Sequence, residues 1–321
     1  MSKQLSMYSF VMPVHNESAG LSDFHKSLLG ILKDNGLSDY ELIYVDDGSS
    51  DDSAKIIGKL AGSDRSVRLI KFSRNFGKEI AVTAGIHQAT GQAIITLDSD
   101  GQHPVELIPQ FIARWKAGNK VVIGVRSANQ KEGFIKRYGS KIFYGFFNRS
   151  TGMKLMPRAT DFRLIDKAIQ REFKLMTERN RITRGLIDWL GYERDYIEFK
   201  ASPRLSGEAG YSFKKLFKLA IDSAISLSIS PLYITAYIGV VILPLSTLLG
   251  LFMLINLALG DPTNLHATGS AYLMVLVLFL VGILLVSQAI IGLYLSHIHT
   301  ETQNRPLYII DKEGSANLNE A

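Results

Sequence analysis

The 321 residues include no cysteine, which excludes disulfides and thiolate chemistry. There is no Gly-x-Gly-x-x-Gly run and no Walker A sequence, which argues against a dinucleotide cofactor and against a P-loop ATPase. The N-terminus does not read as a signal peptide, because its apolar run, Tyr8 to Met12, is short and stops at Pro13. Charge is missing from one long stretch: between Ser223 and Thr300 the only Asp, Glu, Lys or Arg is Asp261. Two apolar runs, 231–259 and 271–296, flank that residue, and each exceeds the ~20 residues that cover a bilayer core. A pair of buried core helices is the other reading, but runs this free of charge are rare in soluble domains, so a two-span transmembrane hairpin is expected.

Lys and Arg are also absent from the connecting loop, 260–270, whereas Lys214, Lys215 and Lys218 precede the hairpin and Arg305 and Lys312 follow it. That asymmetry places both termini in the cytoplasm and makes the chain a multi-pass protein of the cell membrane. The expected organisation is a catalytic domain over 1–210, an interfacial segment over 211–230, the hairpin over 231–296 and a cytoplasmic tail over 297–321. The interfacial segment puts Phe213, Leu216, Phe217, Ala220, Ile221 and Ala224 on one helical stripe with its lysines off it. It suits a helix lying in the membrane interface or one packed on the domain. A second basic stretch, 131–141, suits a loop that meets an anionic lipid headgroup or a solvated face. Net charge is +6, which beside a membrane hairpin points to anionic lipid or phosphorylated substrates rather than nucleic acid. Residues 313–321 read as a disordered tail.

The first 130 residues alternate strand and helix. Strands are expected at 9–14, 41–45, 67–72, 93–97 and 120–125, and helices at 17–33, 53–60, 78–89 and 105–116. The alternation predicts an α/β domain with right-handed crossovers and a mostly parallel sheet, whose site lies at the carboxyl ends of the strands. Those ends are polar: Pro13-Val14-His15-Asn16-Glu17, Asp46-Asp47-Gly48-Ser49, Ser73-Arg74-Asn75-Phe76-Gly77-Lys78 and Asp98-Ser99-Asp100-Gly101-Gln102. In an extended chain Asp98 and Asp100 point the same way. Two carboxylates so placed suit a hard divalent cation, Mg²⁺ or Mn²⁺, that also holds phosphate oxygens, with Gln102 a further oxygen ligand. Asp98-Ser99-Asp100-Gly101 also suits an ordinary turn.

The segments PVHNES, VDDGSSDDS, SRNFGKEIAVTAG, LDSDGQHP, TDFRLID and RPLYII resemble those of inverting family-2 glycosyltransferases. The likeness is to the polyprenyl-phosphate glycosyltransferases, relatives of dolichol-phosphate mannose synthase, and above all to bactoprenol glucosyltransferases. It covers nearly the whole chain. The resemblance implies a GT-A catalytic domain that transfers a sugar from a nucleotide sugar, UDP-glucose first, to polyprenyl phosphate with inversion, and it implies a tetrameric homo-oligomer. It places Pro13, Asn16, Glu17 and Asp47 around the nucleotide, Lys78 at the diphosphate, Asp98, Asp100 and Gln102 at the metal, and Asp161 at the reacting centre as the residue often proposed as base. Arg204 matches the Arg of a downstream motif that usually continues Gly-x-Ser/Thr-Lys, but here Ala209 and Gly210 stand in the last two places. Read from the residues alone, Asp161 also suits the N-cap of a helix over 162–169. Two alternatives stay open: a processive polysaccharide synthase, whose usual Gln-x-x-Arg-Trp motif is absent, and a non-catalytic membrane scaffold that binds nucleotide sugar.

Overall fold

The computed structural model describes residues 7–127, 156, 158–179, 181–200 and 269–318, with a few isolated positions between 248 and 259. The chain divides into two compact units, residues 1–211 together with 305–321, and residues 212–304.

The first unit is built on seven strands: β1 (Tyr8–Val14), β2 (Tyr40–Asp46), β3 (Val67–Lys71), β4 (Ala93–Thr96), β5 (Val121–Arg126), β6 (Ala159–Asp166) and β7 (Arg194–Phe199). Its helices are α1 (Ser18–Asp34), α2 (Ser53–Ser63), α3 (Lys78–Gln88), α4 (Ile108–Lys116), α5 (Lys167–Leu175) and α6 (Thr183–Trp189). The sheet order is β3-β2-β1-β4-β6-β5-β7. The pairs β1–β2, β2–β3, β1–β4 and β5–β7 are parallel, while β6 runs antiparallel to both neighbours. The expected parallel sheet is therefore present, with one reversed strand inserted.

Both faces of the sheet are covered, so its strands are apolar throughout rather than alternating. Phe10, Met12, Leu42 and Tyr44 face a core shared with Leu21, Phe24 and Leu28 of α1 and Phe111 of α4. Val11, Ile43 and Val45 face the opposite core, with Ala81 and Ala84 of α3 and Ile169 and Phe173 of α5. α3 packs so closely that a Cβ on its Gly85 would sit 2.2 Å from Val11 Cγ1; a side chain there would push the helix off the sheet.

The chain moves outward from β1 through β2 to β3, then returns to place β4 on the other side of β1. The crevice at such a reversal is where α/β sheets take ligands. Pro13 helps to open it. The β1–β4 ladder ends at Val11 opposite Thr96, and a proline has no N–H with which to extend it. The Ser99 hydroxyl instead donates to the Pro13 carbonyl at 3.1 Å, tying the two strand ends together as they part.

Two expectations are corrected. Asp161 does not cap a helix: it lies inside β6, and the helix begins only at Lys167, where Asp166 Oδ1 accepts from Ala168 N at 2.8 Å. The C-terminal tail is not disordered through residue 318. It belongs to the first unit and pairs along β3, with bridges Leu69–Ala316 and Phe72–Ile310. The polar run that suggested disorder supplies turns and edge hydrogen bonds instead.

In the second unit, α7 (Gly269–Thr302) is 34 residues long. Among the described residues, no helix is long and apolar enough to cross a membrane. The first expected span, 231–259, lies almost wholly outside those residues, and so do many side chains of the second. The segments 131–141, 204–210 and 211–230, and Arg204 with them, also lie outside the described residues.

Candidate active site

At the crevice between β1 and β4 is a cavity of about 760 Å³. Its lining brings together Pro13, Glu17, Asp47, Lys78, Asp98, Asp100, Gln102 and Asp161, eight of the residues singled out in the sequence. β1 supplies Pro13 and leads into Glu17, the β2 end supplies Asp47, the start of α3 supplies Lys78, the β4 end supplies both metal-site carboxylates, and β6 supplies Asp161.

Lys78 is the electrostatic centre. Its ammonium lies 2.7 Å from Asp98 Oδ1 and 3.3 Å from Asp161 Oδ2. Desolvation opposes the charge on Lys78, but the two carboxylates override it and hold the amine well above its ordinary value. Burial alone would raise the Asp161 carboxyl; Lys78, with Arg184 and Arg163 behind it, holds it down at about 2 instead. Both groups are ionised at any physiological pH.

Asp98 is steadied from its backbone. Its N–H donates to His103 Nδ1 at 2.9 Å, and His103 is stacked on Phe162 with ring centroids 5.2 Å apart. Burial lowers the His103 pKa, in keeping with a neutral ring that accepts at Nδ1. Asp100 Oδ1 accepts from Gln102 N at 3.0 Å, the hydrogen bond of an Asx turn.

Three expected ligands also have hydrogen-bond partners within the fold. Gln102 Oε1 accepts from Arg126 at 2.7 Å, so its oxygen is engaged by a cation. Asn16 does not line the cavity. Held at φ 55°, it accepts from Ser50 N at 2.8 Å and so fastens the β1 end to the loop after β2. Asp47 lines the cavity, but its carboxylate accepts from Phe76 N at 2.7 Å and Gly77 N at 2.9 Å. Burial raises its pKa, and these hydrogen bonds also shape the β3–α3 loop. Gly48, at φ +65°, allows that loop to approach: a Cβ there would lie 2.5 Å from Arg74 C.

The structure adds residues that the sequence did not mark. Arg126, Arg158 and Arg184 line the cavity, and Arg126 Nε is buried with no hydrogen-bond partner among the described residues. Glu79, raised by burial and by the nearby charge of Asp161, accepts from Thr183 N at 2.8 Å and so fixes the start of α6 beside Arg184. Single arginines carry no spacing signal; only the topology gathers them.

The donor set suits a hard divalent cation. Asp98 and Asp100 offer oxygen alone, and among the described residues no group of three or more His, Cys, Asp or Glu is arranged to hold a metal. Two carboxylates without a third protein ligand fit Mg²⁺ or Mn²⁺, which complete their shell with substrate phosphate and water. An unfilled hydrogen-bonding Arg and a strongly held Lys beside them suit a polyanionic ligand.

Residues 9–174 match the model of glycosyl transferase family 2. The chain is 36% identical over 312 residues to the SfII prophage-derived bactoprenol glucosyl transferase of Shigella flexneri, covering 96% of this chain and 99% of that one. It is 36% identical over 307 residues to the prophage bactoprenol glucosyl transferase homolog of Escherichia coli K12, covering 95% and 98%. The fold is similar to that of mannosyl-3-phosphoglycerate synthase from Rubrobacter xylanophilus, with a TM-score of 0.51 and 12% identity over 69% of this chain and 72% of that one. It is also similar to glucosyl-3-phosphoglycerate synthase from Mycobacterium tuberculosis in complex with Mn²⁺, uridine diphosphate and phosphoglyceric acid, with a TM-score of 0.50 and 18% identity over 69% and 77%.

Proposed function

The chain belongs to glycosyl transferase family 2 and has a GT-A-like α/β fold, and from that premise we propose that it transfers a hexose from a nucleotide diphosphate sugar to a polyprenyl phosphate at the cytoplasmic face of a membrane. The observation that carries this reading is the meeting of Lys78, Asp98 and Asp161 with Asp100 in one cavity at the topological reversal of the sheet. UDP-glucose is the proposed donor and undecaprenyl phosphate the proposed acceptor. The bactoprenol glucosyl transferase of Shigella flexneri and the Mn²⁺ and uridine diphosphate of the mycobacterial complex support this choice.

Asp98 and Asp100 would hold Mg²⁺ or Mn²⁺, which when bound neutralises the departing diphosphate. Lys78 adds positive charge on the same side, and Arg126 offers a donor to a phosphate oxygen. An oxygen of the acceptor phosphate attacks the anomeric carbon as the bond to the nucleotide diphosphate breaks on the opposite face, which inverts the centre. The electron pair of the broken bond leaves with the diphosphate. A phosphate monoester has its second pKa near ~6, so near neutrality the nucleophile needs no base. Asp161, at about 2, is a weak base in any case. Its fixed negative charge orients Lys78 and stabilises positive charge developing on the sugar ring.

The test is transfer of radiolabelled sugar from a panel of UDP- and GDP-sugars into extracted polyprenyl phosphate. Label in the lipid fraction from UDP-glucose is expected; no transfer from any donor would remove the reading.

The membrane hairpin is part of the proposal. Residues 271–296 carry no Asp, Glu, Lys or Arg, and Leu284 and Leu295 of α7 are 60% and 63% exposed, which suits contact with lipid. A reporter inserted at Thr263 should be found outside the cytoplasm and reporters at both termini inside it. A cytoplasmic Thr263 reporter would end the two-span reading.

A further inference from the structure

We infer that the C-terminal segment, Tyr308 to Asn317, is a positioning element of the active site: it fastens from outside the β3–α3 loop that presents Asn75, Gly77 and Lys78 to the cavity. The donor as the ligand rests on the proposed function; the fastening does not.

The contacts run in sequence along the edge of the sheet. Ala316 and Leu69 exchange both backbone hydrogen bonds at 3.0 Å. Lys71 N donates to Ser315 Oγ at 2.9 Å, and the Lys71 ammonium lies 3.0 Å from Asp311 Oδ2. Asp311 N donates to Lys71 O at 2.8 Å, and Ser73 N donates to Ile309 O at 3.0 Å. The last bond reaches past β3 into the loop itself. There the Tyr308 ring stacks on Phe72 with centroids 5.2 Å apart and 17° between planes. Phe72 in turn meets Phe76 edge-on at 5.6 Å.

The loop is thus gripped from two sides. Inside, Asp47 accepts from Phe76 N and Gly77 N; outside, Tyr308 and Ile309 hold Phe72 and Ser73. Lys78 follows directly as the first residue of α3. A loop held only by Asp47 could pivot about that one carboxylate, and catalytic groups misplaced by as little as ~1 Å lose much of their effect. The far end of the segment is pinned by Asn317, whose side chain donates to Ala61 O at 2.9 Å and Val67 O at 2.8 Å. Removing Tyr308 therefore loosens the loop without freeing the whole tail.

The experiment uses the full chain in detergent with Tyr308→Ala and Tyr308→Phe. Hydrogen exchange is followed at amides 73–77 and, as a reference, at β5 on the far side of the sheet. Tyr308→Ala should speed exchange at 73–77 with β5 unchanged, and should raise the donor KM about tenfold while the acceptor KM stays put. Tyr308→Phe should match the unaltered chain, because the stack uses the ring and not the hydroxyl. Unchanged exchange at 73–77, faster exchange everywhere, or faster local exchange with an unchanged donor KM would each overturn the inference. Should Tyr308→Ala fail to accumulate, Ser315→Ala removes the acceptor for Lys71 N and is read by the same exchange. Faster local exchange in a chain that turns over no nucleotide sugar would uphold the fastening and sink the donor reading.

Discussion

Chelation of divalent cations with EDTA should abolish sugar transfer, added Mg²⁺ or Mn²⁺ should restore it, and Asp100→Ala should lower transfer on the order of 10²–10³-fold even with excess metal. The cavity contains two carboxylates that share one strand end, Asp98 and Asp100, and Lys78 lies at ion-pair distance from Asp98. With Asp100 gone, a single carboxylate already shared with Lys78 remains, too few oxygens to hold a divalent cation against its hydration shell. The fold should survive, because Asp100 sits in a turn beyond β4 and contributes to neither core. Full transfer by Asp100→Ala, or by the unaltered chain in EDTA, would show that Lys78 and the arginines alone handle the diphosphate.

Asp161→Asn should lose transfer on the order of 10²–10³-fold, and the loss should be the same from about pH 5.5 to 8.5, a range that spans the acceptor phosphate pKa. The wild-type carboxyl, at about 2, is fully ionised across that range, so its contribution does not titrate there. An obligatory base would behave differently. Its removal would hurt most at low pH, where the acceptor still carries a proton, and less as the acceptor becomes dianionic. The amide is nearly isosteric, so the variant removes charge and leaves shape. Rates that recover towards wild type above about pH 7 would make Asp161 a base after all, and wild-type rates throughout would remove it from the site.

The β1 to β5 half of the first unit was legible because each strand there is an apolar run that stops at a polar loop. The expected strand at 93–97 and the observed β4, Ala93–Thr96, differ by one residue. Beyond residue 126 the signal fails for physical reasons. β6 reads Ala-Thr-Asp-Phe-Arg-Leu-Ile-Asp, polar for a central strand, because Arg163 is buried against Asp188 at 3.0 Å with 2% of each side chain exposed. A buried ion pair hides a core strand from any reading by hydropathy. The site was legible where several residues share one loop, as in Asp98-Ser99-Asp100. It was not legible where one residue comes from each of several elements, as with Arg126 and Arg184. Asn16 and Gln102 have engagements that the sequence hid for a related reason. Both bond to neighbours that only the fold brings near.

The strap along β3 also bears on how the molecule is made. Lys71 is bonded to a residue 244 positions later in the chain, so an early strand waits for a segment synthesised long after it. Until then β3 is a bare sheet edge with unpaired backbone groups, open to pairing with another chain. Contacts so distant in sequence also form late in folding. A product truncated before Tyr308 would keep every residue of the Lys78–Asp98–Asp161 cluster and still carry an open edge, a hazard for aggregation. A segment made late thus closes the edge of a strand made early.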